Sequence, residues 1–306
     1  MMSVLRGDDD TRVRATWRII ASFGAFFGTL LVATAFLRPL PWPDILVNVP
    51  SAIPALLGTV VVLAVSTRLF EAQPLEVYGL DVGQLWAKDL LAGIAIGCLF
   101  QGLITVVMLQ LGTGRIVTVW SPLVDETGAV AVAFGSTVVG FLIVALWEEL
   151  MFRAVFVRNA VEGFISRGAK RRFAVGGAVV LGAVAFGLPH ALSAIERASP
   201  LFAVLQAVVA GVYFGFAYVL TGSLSLPIGI HLSTDVWVVS VFGQPGAGFP
   251  ALVRFDRTLE LGWETVPAFL FPTAVLFCLV IGWVFFTRGT AVGDGLLNDG
   301  SDCGMS

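Results

Sequence analysis

Charge is what this sequence has least of. Only 13% of its 306 residues are Asp, Glu, Lys or Arg, where a water-soluble domain carries roughly 25% to cover its surface. Lysine is nearly absent, with Lys88 and Lys170 set against sixteen arginines, and the net charge is only -3 with no basic block. Nucleic acid is therefore excluded as a partner, which leaves membrane lipid and a lipidated or membrane-associated peptide or protein substrate. Oligomeric state is not legible. The three cysteines, Cys98, Cys278 and Cys303, show no ligand spacing, so neither a disulfide framework nor a thiolate metal site is expected. Histidine is scarcer still: His190 and His231 are the whole complement, and at 41 residues apart they rule out the HExxH zinc-protease signature. No GxSG serine site occurs, and Asp235 has no second intramembrane aspartate to pair with. The absence of an internal repeat weighs against transporter folds built from duplicated halves.

What fills the chain instead is apolar. Hydrophobic residues make up 57% of it and the mean hydropathy is +0.91. A spanning helix needs about 20 mostly apolar residues. Eight segments qualify, at 17–37, 49–69, 88–112, 129–157, 174–193, 200–220, 225–243 and 264–286, separated by breaker-rich stretches such as "RPLPWPD" and "GQPGAGFP". The predicted fold is an all-α polytopic transmembrane helix bundle. The first run contains Ala33-Thr34-Ala35, which resembles a signal-peptidase site, but the run is longer than an h-region of about 7 to 15 residues and reads as an uncleaved span. With the N-terminus inside, thirteen Lys and Arg fall on the cytoplasmic side against five outside (Arg38, Arg115, Arg197, Arg254 and Arg257), predicting that both termini are cytoplasmic. Three GxxxG pairs, Gly24 with Gly28, Gly93 with Gly97 and Gly211 with Gly215, predict close helix packing within the bundle.

Inside the predicted spans the ionisable residues are few: Glu148, Glu149 and Arg153 on span four, His190 on span five, His231 and Asp235 on span seven. Such groups cost a few kcal/mol in lipid and are normally paired, internal and functional. Glu149 and Arg153 are four apart and share a face, acid first, the favourable order for an ion pair. Glu148 is rotated about 100° from Glu149 and has no such local partner, since Phe152 stands four residues on. Arg153 is expected to neutralise and position Glu149, leaving Glu148 free for chemistry. His231 and Asp235 share a face at the same spacing, and so do Phe186 and His190, with Pro189 loosening the helix before the histidine.

Carboxylates and imidazoles together bind and activate water, through a divalent metal or by a glutamate base with imidazole donors. The group attacked would be a carbonyl, whose tetrahedral oxyanion such donors stabilise. Peptide hydrolysis in or beside the membrane follows as the functional expectation. The alternative is a non-catalytic membrane protein, an immunity factor or scaffold, whose polar cluster only knits helices.

"EELMFR" fits an EExxxR pattern, "FGLPH" fits FxxxH and "HLSTD" fits HxxxN/D, in that order on successive core helices. The ordered triplet resembles the CPBP intramembrane protease family, which includes prenyl-protein CAAX endopeptidases and bacteriocin-immunity proteins. The resemblance implies that Glu148 activates water, that Glu149 and Arg153 support it, and that His190 and His231 are the imidazoles. Asp235 stands where Asn is common, a variant that suits a metal. The metal-dependent version would use Glu148, His190, His231 and Asp235 as ligands, with zinc the best-suited ion; the other version uses no cofactor. The resulting division is 1–128 for the first three spans and lead-in, 129–243 for a CPBP-type catalytic core of spans four to seven, 244–292 for a loop and the eighth span, and 293–306 for a disordered acidic tail.

Two further expectations follow. The site opens toward the cytoplasmic side, where most of the basic residues lie. Depth is harder to reconcile: Glu149 lies nine residues before Arg158, about 14 Å at helical rise, whereas His190 lies eighteen past Arg172, about 27 Å. Bringing them together requires residues 171–178 to lie along the interface or span five to tilt.

Overall fold

A computed structural model describes residues 13–46, 48–70, 74–122, 127–193, 200–243, 245, 248–257 and 266–289; the acidic tail lies outside the described residues. Lipid offers no hydrogen-bond partners to a backbone, so the apolar runs satisfy theirs internally as helices. These are α1 (Ala15–Leu37), α2 (Val49–Val65), α3 (Gln84–Leu111), α4 (Thr127–Glu149), α5 (Arg158–Ile165), α6 (Arg171–Gly187), α7 (His190–Ser193), α8 (Pro200–Thr221), α9 (Ser225–Val236) and α10 (Val266–Arg288). A π-helical segment, Leu150–Val157, joins α4 to α5 without a break, and shorter π segments follow α2 and α9. The protein is an all-α, multi-pass membrane bundle. Among the described residues six helices are long and apolar enough to cross a membrane: α1, α2 with its π turn, α3, the joined α4 and α5, α8 and α10. The predicted fifth and seventh spans form as helices but are shorter, α6 at 17 residues and α9 with its π turn over Ser225–Val241.

A small sheet, unpredicted, caps one end of the bundle. Strands β1 (Gly114–Ser121), β2 (Phe242–Gly243) and β3 (Ala251–Arg257) lie in the order β1-β3-β2, with β1 antiparallel and β2 parallel to β3. Gly112, in the left-handed conformation at φ 72°, ends α3 and turns the chain into β1. The signal was present in "RIVTVW", whose β-branched residues suit a pleated strand.

Close helix contacts fix the frame around the site. A Cβ on Gly93 would collide with the Leu226 carbonyl, one on Gly97 with Ser233, and one on Gly229 with the Leu90 carbonyl, so α3 and α9 pack backbone to backbone. Gly211 and Gly215 meet Ala183 and Val179, joining α8 to α6 in the same way. The first GxxxG pair departs from expectation: Gly24 and Gly28 face open space, because α1 packs through the buried Phe26, which lies against Gly58 and stacks on Trp147. The last helix is tied to α3 by the buried Asp89, which accepts from Trp283 Nε1 at 2.7 Å and Arg288 Nη2 at 2.7 Å.

Candidate active site

The depth conflict disappears because span four runs on past its predicted end at 157. The helix carrying Glu149 continues to Ile165, sixteen residues further and about 24 Å at helical rise, before the turn that leads to α6. His190 stands nineteen residues beyond the start of α6 at Arg171, about 28 Å along the returning arm. The two arms match, and Phe152 meets Phe186 edge to face at 5.2 Å across the hairpin. Neither an interfacial stretch at 171–178 nor a strong tilt is needed. Helix α6 ends at Gly187, Pro189 occupies the break, and His190 opens the one-turn α7.

Glu149 is the centre of the cluster. Its side chain is 0% exposed; Oε2 lies 2.9 Å from Arg153 Nε, and Oε1 accepts from His231 Nδ1 at 2.8 Å. The expected Glu149–Arg153 pair is therefore present, and it extends to a partner 82 residues away that sequence spacing gave no reason to join. Arg153 is walled by aromatics, its guanidinium carbon 4.7 Å from the Phe186 ring centre and 5.1 Å from that of Phe214. Its Nη1 and Nη2 are buried without hydrogen-bond partners among the described residues, so its charge leans on Glu149 and the rings. The π-helical turn begins directly after Glu149, and such insertions cluster at functional sites.

His231 is held from three sides. Phe214 stacks on its ring at 4.6 Å, Glu149 fixes Nδ1, and Nε2 faces Glu148 Oε2 and Asp235 Oδ2, each at 3.5 Å. Glu148, which has no partner on its own helix, thus points to an imidazole on α9. It keeps 14% of its side-chain exposure and Asp235 keeps 24%, in contrast to the sealed Glu149. His190 donates from Nδ1 to the Phe186 carbonyl at 2.9 Å. Phe186 separates the imidazoles, 5.0 Å from His190 and 6.0 Å from His231. Sequence reading had identified Phe186 by its spacing; Phe214, an ordinary apolar residue of span six, carried no such signal.

His190, His231 and Asp235 line one cavity of about 360 Å³, walled largely by apolar residues of α3, α8 and α10 such as Phe100, Tyr213 and Phe269. Glu148 is not among its lining residues and adjoins it through His231. The cavity extends past Val238 to Phe202, Val266 and Arg257, the sheet end of the bundle. That is the end opposite the basic turn and helix start at 166–172. It forms there because the first turns of α8 and α10 and the end of β3 enclose it.

The expected metal set does not converge. Among the described residues no three His, Cys, Asp or Glu side chains are grouped to hold an ion. His231 spends Nδ1 on Glu149, and His190 stands on the far side of Phe186. What the arrangement offers is a partly exposed carboxylate facing an imidazole, a buried carboxylate that orients that imidazole, and a second imidazole on the wall of an apolar cavity.

No curated protein and no solved structure matches the chain. Residues 130–237, which include all six of these polar residues, match the family model described as Type II CAAX prenyl endopeptidase Rce1-like. Through this segment the chain is similar to the CAAX protease family, and the protein is a multi-pass membrane protein.

Proposed function

We propose that the chain hydrolyses a peptide bond of a lipidated or membrane-associated substrate, using water activated by Glu148. The carrying observation is the contrast between neighbouring carboxylates. Glu149 is sealed between Arg153 and His231, whereas Glu148 stays accessible and lies 3.5 Å from the His231 nitrogen that Glu149 does not use. In the proposed step Glu148 takes a proton from water as the oxygen attacks the peptide carbonyl carbon. His231, in its doubly protonated form, donates from Nε2 to the oxyanion, and His190 lines the cavity that receives the peptide. Collapse breaks the C–N bond, and Glu148 returns the proton to the leaving amine. Asp235 and Glu149 keep His231 aligned, and Arg153 balances Glu149. No step is routed through a metal.

The test is cleavage of a prenylated C-terminal peptide by the purified chain in nanodiscs, with products read by mass spectrometry. Wild type is expected to release a C-terminal fragment and Glu148→Gln to release none. Equal cleavage by both would remove Glu148 from the mechanism, and a folded wild type that cleaves no peptide would favour the helix-knitting alternative.

A further inference from the structure

At the end of the bundle opposite the cavity, three helix ends bring cations together. Helix α1 starts there at Ala15, α5 ends there at Ile165, and α6 starts there at Arg171. Over residues 13–37 and 158–187 there are seven basic side chains and one carboxylate, Glu162. That carboxylate is already engaged: Oε2 pairs with Arg18 of α1, and Oε1 lies 3.6 Å from Arg158 Nη2. A Cβ on Gly163 would sit 3.4 Å from Ala15 Cβ and 3.2 Å from Arg167 Nη1, so the missing side chain lets the Arg167 guanidinium meet the start of α1. Arg167 Nη1 is held there by donating to the Gly163 carbonyl at 2.6 Å. Arg14, Arg167, Lys170 and Arg172 are exposed beside this junction. Neither α1 nor α6 has a side-chain cap or an acidic residue in its first turn, so the partial positive charge of both N-termini adds to the excess.

The same end carries apolar side chains that a water-borne anion leaves unexplained. Phe173 is 64% exposed, with the Arg172 guanidinium carbon 4.9 Å from its ring centre, and Trp17 and Ile165 are each 39% exposed. Basic heads beside exposed aromatic and aliphatic groups suit a lipid interface, where the charge lies at the headgroups and the apolar groups reach the acyl boundary. A soluble acidic protein would neutralise the arginines but leave Phe173 and Trp17 in water. A phosphodiester carrying acyl chains satisfies both sets at once.

We infer that this end of α1, α5 and α6 is a binding surface for anionic phospholipid, its headgroup phosphate seated among Arg14, Arg167, Lys170 and Arg172. The helix that carries Glu148 and Glu149 ends in this surface at Ile165, so a bound headgroup fastens that helix to α1 and α6. The assignment is independent of the proposed hydrolysis.

The test titrates full-length protein in uncharged detergent micelles with dioleoylphosphatidylglycerol and, separately, with dioleoylphosphatidylcholine. The thermal unfolding midpoint gives the apparent affinity for each. Wild type is expected to prefer phosphatidylglycerol. A basic residue near an anionic lipid surface contributes about fivefold in affinity, so Lys170→Gln should lose about fivefold. The triple variant Arg167→Gln, Lys170→Gln, Arg172→Gln should lose about 100-fold, with its phosphatidylcholine response unchanged; the single variant keeps the test readable should the triple one unfold. Arg115→Gln removes an exposed cation at the sheet end and is expected to keep the full preference. A wild type without the preference overturns the assignment, and so does a preference that survives in both the single and the triple variant. An equal loss in Arg115→Gln also overturns it, because net charge would then be the cause. A midpoint shift of the same size from glycerol 3-phosphate would make this a soluble-phosphate site and refute the lipid. If wild type gains the preference only when Asp8, Asp9 and Asp10 are replaced by asparagine, that acidic stretch is the occupant instead and the assignment fails.

Discussion

Glu149→Gln is the perturbation that best separates the two adjacent glutamates. The variant keeps the shape of the side chain but removes the carboxylate paired with Arg153, whose Nη1 and Nη2 are already buried without hydrogen bonds among the described residues. Leaving a buried ion uncompensated costs about 3–5 kcal/mol. The charge-assisted bond from His231 Nδ1 at 2.8 Å weakens as well, a loss that overlaps the first because both act through one group. The expected destabilisation is therefore about 3–5 kcal/mol in total, read as unfolding in detergent micelles titrated with dodecyl sulfate and followed by tryptophan fluorescence. Glu148→Gln, altering a side chain that is 14% exposed and outside the buried pair, should stay within about 1 kcal/mol of wild type, or gain stability as strained functional groups do when neutralised. Replacing Glu149 and Arg153 together with leucines should recover most of the loss, since an apolar pair leaves no stranded charge. A Glu149→Gln cost below about 1 kcal/mol, or a Glu148→Gln cost equal to it, would refute the division of roles.

Other expectations follow from the same geometry. Gly229→Ala forces a methyl against the Leu90 carbonyl where α9 meets α3, so it should cost about 1–3 kcal/mol and displace His231, lowering the denaturation midpoint and cleavage together. Phe214→Ala removes both the ring stacked on His231 and a wall of Arg153; a loss of about 3–5 kcal/mol is expected by the same unfolding assay. Arg115→Ala is the contrasting case: the Arg115–Asp256 pair is 78% and 46% exposed, so its removal should change stability by less than about 1 kcal/mol. For Arg257 the sign runs the other way. Its folded-state pKa lies below the usual arginine value, so the native state carries a cost that persists at neutral pH and fades only as pH rises through about 10. Arg257→Met should therefore unfold later than wild type at pH 7 in the same unfolding assay, because burial disfavours the cation.

The spans were legible because lipid imposes a simple rule on backbones, and the observed α1, α8 and α10 begin and end within two residues of their hydropathic limits. The rule failed where the environment was not lipid. Residues 158–165 carry Arg158 and Glu162 and read as a loop, yet they continue the helix because Glu162 pairs with Arg18 of α1 and lies 3.6 Å from Arg158. That extension is what aligns Glu149 with His190. The sheet escaped notice because it lies in short links between helices. At the site, helical periodicity gave the Glu149–Arg153 pair and the shared face of His231 and Asp235. It could not give the bond from His231 to Glu149, which depends on how α9 packs across the bundle, nor the ring of Phe214 stacked on His231. Arg257 was counted only as an outer-side charge, since its place on the cavity wall is a tertiary fact.

The most direct measurement of the central claim is the single-turnover cleavage rate of pre-bound prenylated peptide, compared between wild type and Glu148→Gln with peptide affinity measured in parallel. The account predicts unchanged affinity and a rate lower by at least about 10²–10⁴-fold, the contribution of a positioned general base. A Glu148→Gln enzyme that cleaves bound peptide within a few-fold of the wild-type rate would contradict it.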